Sequence, residues 1–217
     1  VLSYLYEKWL LRHILRAGIT VRHIILIIDE SDLLVSREAV KKLASFVRWC
    51  SALGIETVGI YVSIAKELGG EIIEATSELL FEKISKALSR ESASIEIYTA
   101  KSTKLLRGDA AMRVCVSIGF GGRSELTEAI RRICMRVQDG EIEPEEINEK
   151  KIESELVFRL EPDLIIRSGG AKLTDFLIWQ SVYSEFYFTD VNWRNFRKID
   201  LLRAIRDFQK RERRFGT

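Results

Sequence analysis

His23-Ile24-Ile25-Leu26-Ile27-Ile28-Asp29 (HIILIID) is too short for a helix and too evenly apolar for a strand with one face in water. A β-branched run of this kind, bounded by polar residues, reads as a strand buried on both faces, as in the middle of a parallel sheet. Parallel strands need long crossovers, which helices usually supply. The reading therefore turns on whether strands and helices alternate on either side of this run.

They do. Downstream, Val40, Leu43, Phe46, Val47, Cys50 and Leu53 recur at helical spacing, and Gly54 stands where a left-handed C-cap belongs, which predicts a helix of about 16 residues. Residues Glu56 to Ser63 form the next strand, Glu71 to Arg90 an amphipathic helix, and Ser94 to Thr99 a third strand. Met112 to Phe120 is a fourth strand, followed by a helix marked by Leu126, Ile130, Ile133 and Val137 and closed by Gly140. Asp163 to Arg167 is the fifth strand, Thr174 to Ser184 a helix, Glu185 to Thr189 the sixth strand, and Asp200 to Arg214 a last helix. Upstream, Tyr4 to Arg12 places aromatic and Leu residues on one helical face, fit to pack on the core or on a partner. The expectation is one α/β domain over residues 1–217, a mostly parallel sheet of about six strands flanked by helices.

Composition narrows the function. With 34 Lys and Arg against 32 Asp and Glu, the net charge of +2 provides no field for binding nucleic acid. Cys50, Cys115 and Cys134 form no Cys-x-x-Cys pair and do not cluster with His13 or His23, which argues against structural zinc and a disulfide framework and for a reducing compartment. No apolar run approaches the roughly 20 residues that span a bilayer, and the opening segment lacks a signal-peptide pattern. A soluble, cytoplasmic protein is expected, at most peripheral to a membrane, with surface contact left open. There is no Walker loop and no G-x-G-x-x-G after a strand.

In parallel sheets ligands bind at the carboxyl ends of the strands. That singles out Asp29, Ser63, the Gly119 to Arg123 turn and the Arg167 to Thr174 loop. Arg167 stands beside Gly169 and Gly170, which would let backbone amides approach an anion, while Lys172 and Thr174 add a charge and a hydroxyl. Together they describe a diphosphate cradle. The plainer alternative is a strand-to-helix turn with Arg167 solvated and Thr174 capping the next helix.

The order of residues in Pro162 to Gln180 (PDLIIRSGGAKLTDFLIWQ), Tyr183 to Trp193 (YSEFYFTDVNW) and Arg211 to Gly216 (RERRFG) closely resembles the cis-prenyltransferases, which include undecaprenyl diphosphate synthase. Gly121-Gly122-Arg123 resembles that family's Gly-Gly-Arg turn, and Glu143 to Asn148 its following loop. The resemblance implies an isopentenyl-diphosphate site at Arg123, Arg167, Ser168, Lys172 and Thr174. It also implies Mg²⁺ held on a diphosphate by Asp29 and Glu185, an ion for which one or two carboxylates suffice if they meet.

The amino-terminal half departs from the pattern. After the first strand the family has Asp-Gly-Asn-Gly/Arg-Arg-Trp and a later Gly-His pair that cradle the allylic primer. Here Asp29-Glu30-Ser31-Asp32-Leu33-Leu34 keeps the aspartate, shortens the loop and adds carboxylates that repel a diphosphate. Ser63 is followed by no Asn-Trp pair, Lys101 to Ala111 is shorter than the usual helical insertion, Gly119 replaces an Asn, and Lys172 replaces an Arg.

This asymmetry resembles the accessory subunit of heteromeric, Nogo-B-receptor-type enzymes, which lacks a primer site and lends a C-terminal Arg-x-Gly to a catalytic partner. Arg214-Phe215-Gly216 matches that tail, with Arg214 and Gly216 in the catalytic role; a frayed basic helix end is the plainer reading. The expectations are thus an accessory subunit with a catalytic partner, a divergent homodimeric synthase acting on isopentenyl and allylic diphosphates, or a diphosphate-binding module without catalysis.

Overall fold

The computed structural model describes residues 2–18, 21–65, 69–119, 121–156, 161–170 and 179–211. Its helices are α1 (Leu2–Arg16), α2 (Glu30–Leu34), α3 (Arg37–Ala52), α4 (Gly70–Leu88), α5 (Gly122–Gln138), α6 (Glu149–Glu155) and α7 (Lys198–Lys210). Its strands are β1 (His23–Asp29), β2 (Thr57–Ser63), β3 (Ser94–Tyr98), β4 (Thr103–Arg107), β5 (Arg113–Ile118), β6 (Leu164–Ser168) and β7 (Glu185–Thr189).

One sheet of seven strands runs in the order β4-β3-β5-β2-β1-β6-β7, parallel throughout except for the β3–β4 hairpin at one edge. The expected six strands are present; β4 is the addition. β1 lies between β2 and β6 and alternates between two cores, as strand geometry requires. Ile24, Leu26 and Ile28 join the larger cluster with α1, α3, α4 and α7, whereas Ile25 and Ile27 join a small one with Tyr61 and Ile165.

The chain leaves β1 in one direction, toward β2, and later returns past it to β6. The order reverses between β1 and β6, and in such sheets that reversal opens a crevice at the carboxyl ends of the strands.

The loop after β7 is tied down by Trp193. Its indole is fully buried, donates from Nε1 to the Ala39 carbonyl at 2.8 Å and meets Phe46 edge-on at 5.9 Å. The last helix ends at Lys210, short of the expected Arg214, and 179–183 are turn, while 174–178 of the helix expected over Thr174 to Ser184 lie outside the described residues.

Candidate active site

Asp29 ends β1 and Arg167 lies near the end of β6, so the two face each other where the strand order reverses. In register Arg167 pairs with Ile27, two residues before Asp29 on the same side of the strand. Arg167 Nη2 donates to both Asp29 oxygens, at 2.9 and 2.8 Å. The arginine side chain is 7% exposed and the aspartate 34%, so the pair is a buried cation held by a carboxylate that water reaches.

A second carboxylate closes the other side. α2 follows Asp29 directly, with Leu33 buried beneath it, and Asp32 Oδ2 accepts from the Trp193 backbone N–H at 3.3 Å. Burial pushes the Asp32 carboxyl up; the Trp193 bond opposes this and the Asp29 charge adds to it. The loop expected to be merely short and acidic is thus a helical turn anchored in the core. Asp32 was singled out in the sequence only as a repulsive charge, although its i,i+3 spacing from Asp29 is that of neighbours on one helical face.

Arg123 is exposed in the first turn of α5, which opens at the carboxyl end of β5 and so at the same end of the sheet. Just before it, Gly119 has φ +67, and a Cβ there would stand 2.8 Å from Ile64 Cδ1 and 2.9 Å from Ser77 Oγ. The glycine at this position is therefore dictated by both backbone and space.

Three expectations are corrected. Ser168 does not share a surface with Arg167: successive strand residues point to opposite faces, and the buried Ser168 hydroxyl donates to the Val191 carbonyl at 2.8 Å. The Gly169 and Gly170 amides are not offered to an anion; both donate to the Thr189 carbonyl, at 3.0 and 3.2 Å. Glu185 does not meet Asp29 within one chain. It opens β7 level with Leu164 and hence with Ile24, five residues from Asp29 or about 16 Å along the sheet. Its Oε2 instead accepts from Arg211 Nη1 at 2.9 Å, and Arg211 Nη2 also binds Asp207. Lys172, Thr174, Arg214 and Gly216 lie outside the described residues.

Residues 81–216 match a family model described as "Putative undecaprenyl diphosphate synthase". The chain is 33% identical over 252 residues to an isoprenyl transferase of Thermus thermophilus, covering 99% of this chain and 95% of that one. It is 33% identical over 199 residues to a tritrans,polycis-undecaprenyl-diphosphate synthase (geranylgeranyl-diphosphate specific) of Thermococcus kodakarensis, covering 81% and 75%. The fold matches lavandulyl diphosphate synthase from Lavandula x intermedia with a TM-score of 0.73 at 24% identity, over 91% of this chain and 99% of that one. This chain belongs to the cis-prenyltransferase family, the undecaprenyl diphosphate synthase-like prenyltransferases. The Thermus alignment is longer than the chain, so that relative carries segments without counterpart here.

Members of this family generally use Mg²⁺. Asp29 fits such an ion, being a partly exposed hard oxygen donor, and Mg²⁺ fills its remaining positions with phosphate oxygens and water. Among the described residues no three His, Cys, Asp or Glu side chains converge as a metal cage.

Proposed function

We propose that this chain is a divergent polyprenyl diphosphate synthase, condensing isopentenyl diphosphate onto an allylic diphosphate in a homodimer. The observation that supports this is the Asp29–Arg167 pair at the reversal of strand order: one carboxylate for Mg²⁺ and one cation for a diphosphate, joined at the place where sheets of this kind bind their ligands. Arg123, Lys172 and Thr174 are proposed to complete the isopentenyl-diphosphate site. The tail residues Arg214 and Gly216 are proposed to reach the neighbouring subunit's diphosphate. The names and near full-length coverage of relatives such as the Thermus isoprenyl transferase favour an active enzyme. The edge strand β7 favours pairing of two copies, since Phe186 and Phe188 stack at 5.9 Å and Phe188, Val182 and Tyr183 are exposed.

α2 favours a second reading, an accessory subunit that completes a catalytic partner. Where the family pattern calls for basic residues that hold the primer, the chain places Glu30 and Asp32 on an anchored turn. The test is turnover of isopentenyl diphosphate with geranylgeranyl diphosphate and Mg²⁺, by the chain alone and mixed with a catalytic homologue from the same source. Product from the chain alone supports the homodimeric synthase. A gain seen only in the mixture supports the accessory subunit. Isopentenyl diphosphate binding with no product in either case leaves a binding module and overturns both.

A further inference from the structure

α1 is apolar on two sides, and among the described residues only one of them is covered. The inner side docks on α7: Leu10 and Ile14 are buried, Glu7 pairs with Lys198 at 3.0 Å, the Arg203 guanidinium lies 5.5 Å over the Tyr6 ring, and the Gln209 amide donates to the Ile14 carbonyl at 3.1 Å. These contacts fix the rotation of the helix about its axis. At 3.6 residues per turn the opposite side then carries Tyr4, Leu5, Trp9 and Leu15. They are 59%, 57%, 49% and 69% exposed.

Interleaved with them on that side are Lys8, Arg12 and Arg16, all exposed. Glu7 is the single acidic residue of α1, and it is turned inward to Lys198. The outer side is therefore purely cationic between its apolar groups.

The mixture decides the occupant. A protein partner would press on a contiguous apolar centre with charges at its rim, but here the charges lie within the patch. At a bilayer surface that arrangement is favourable: aromatic and aliphatic groups enter the boundary of headgroups and acyl chains, while Lys and Arg extend their stems along it and place their charges on lipid phosphates. We infer that the outer side of α1 binds an anionic membrane surface, with Tyr4, Leu5, Trp9 and Leu15 inserted and Lys8, Arg12 and Arg16 on the headgroups. This contact needs no substrate and stands apart from the enzymatic reading.

The test is co-sedimentation of the full chain, without substrate, with vesicles of phosphatidylcholine and of phosphatidylcholine mixed with phosphatidylglycerol. Binding is expected to the mixed vesicles, to weaken with salt and to be slight on phosphatidylcholine alone. The triple variant K8Q/R12Q/R16Q is expected to lose about 100-fold in partitioning, each surface cation contributing about fivefold. L5S/L15S is expected to lose binding as well, and a vesicle-induced fluorescence shift is expected to vanish in Trp9→Phe. The altered positions are exposed, so the variants should melt with the parent; should the multiple variants unfold, Trp9→Phe and Lys8→Gln alone carry the test. Absence of binding to mixed vesicles, or equal binding by parent and variants, overturns the inference. So does self-association of the parent that L5S/L15S abolishes, which would assign the face to a second copy.

Discussion

Arg167 Nη2 holds both oxygens of Asp29 across a seam between residues 138 apart in the chain. Each group therefore occupies the other before any ligand arrives. A diphosphate approaching Arg167 without a metal meets a cation already neutralised and a carboxylate that repels it.

This pairing predicts opposite signs for two substitutions. Without Mg²⁺, Asp29→Asn is expected to bind isopentenyl diphosphate several-fold more tightly than the parent, while Arg167→Ala is expected to bind about 30-fold more weakly, the loss of roughly 2 kcal/mol from a charge-assisted hydrogen bond. Calorimetry on the assembled protein reads both. Weaker binding by Asp29→Asn would show that Asp29 does not hold Arg167 back.

The two carboxylates at opposite ends of the sheet are also separable through the metal. In a turnover assay, Asp29→Asn is expected to raise the Mg²⁺ concentration needed for half-maximal rate and to lower the maximum by orders of magnitude. Glu185→Gln, which only loosens the Arg211 contact, is expected to leave the Mg²⁺ dependence in place and to change stability by less than about 1 kcal/mol, as for other part-exposed ion pairs. A shifted Mg²⁺ requirement for Glu185→Gln would place that residue at a metal after all.

Ser168 tests whether the motif reading overstates the site. Its hydroxyl serves the Val191 carbonyl, so Ser168→Ala is expected to cost about 1 kcal/mol in urea unfolding and to leave the KM for isopentenyl diphosphate unchanged. A KM raised tenfold with unchanged stability would return Ser168 to the substrate.

His23 predicts an acid limb in stability. Burial lowers its pKa, a backbone hydrogen bond to Glu161 opposing, so the folded imidazole resists the proton that the unfolded one accepts below about pH 6.5. The stabilisation is complete above that pH and falls as acid is added, by up to about 1.4 kcal/mol per pH unit until the folded group also titrates. Urea unfolding at neutral pH and near pH 5 should show this loss, and His23→Leu should flatten it. A parallel acid loss in the variant would assign the limb to other groups.

β1 and β7 have the bounds that HIILIID and EFYFT suggest, the first as a buried apolar run and the second as a half-buried run rich in aromatic residues. β4 was not readable in the sequence, because Thr-Lys-Leu-Leu-Arg has neither alternation nor a continuous apolar run, and an edge strand with one neighbour needs neither. α2 is too short for helical periodicity to register; what fixes it is Leu33 in the core and Trp193 from the far end of the chain. The placements of Ser168 and Glu185 within the chain had signals in the sequence. Adjacent strand residues cannot face one ligand, and in a parallel sheet a residue that begins a strand lies away from one that ends a neighbour.

The reversal of strand order also sets a timetable. β1, β2, β3 and β5 pair among themselves by residue 118, with sequence separations that α3 and α4 bridge, whereas β6 and β7 add to the other side of β1 only after residue 164. On a ribosome adding about 5–20 residues per second, about seven to thirty seconds separate the emergence of Asp29 from that of Arg167. Through that interval β1 has an unpaired edge of backbone N–H and C=O groups beside its apolar side chains, the condition under which nascent strands mispair. A chaperone that shields β1 until β6 arrives would raise the yield of folded protein without altering its final stability.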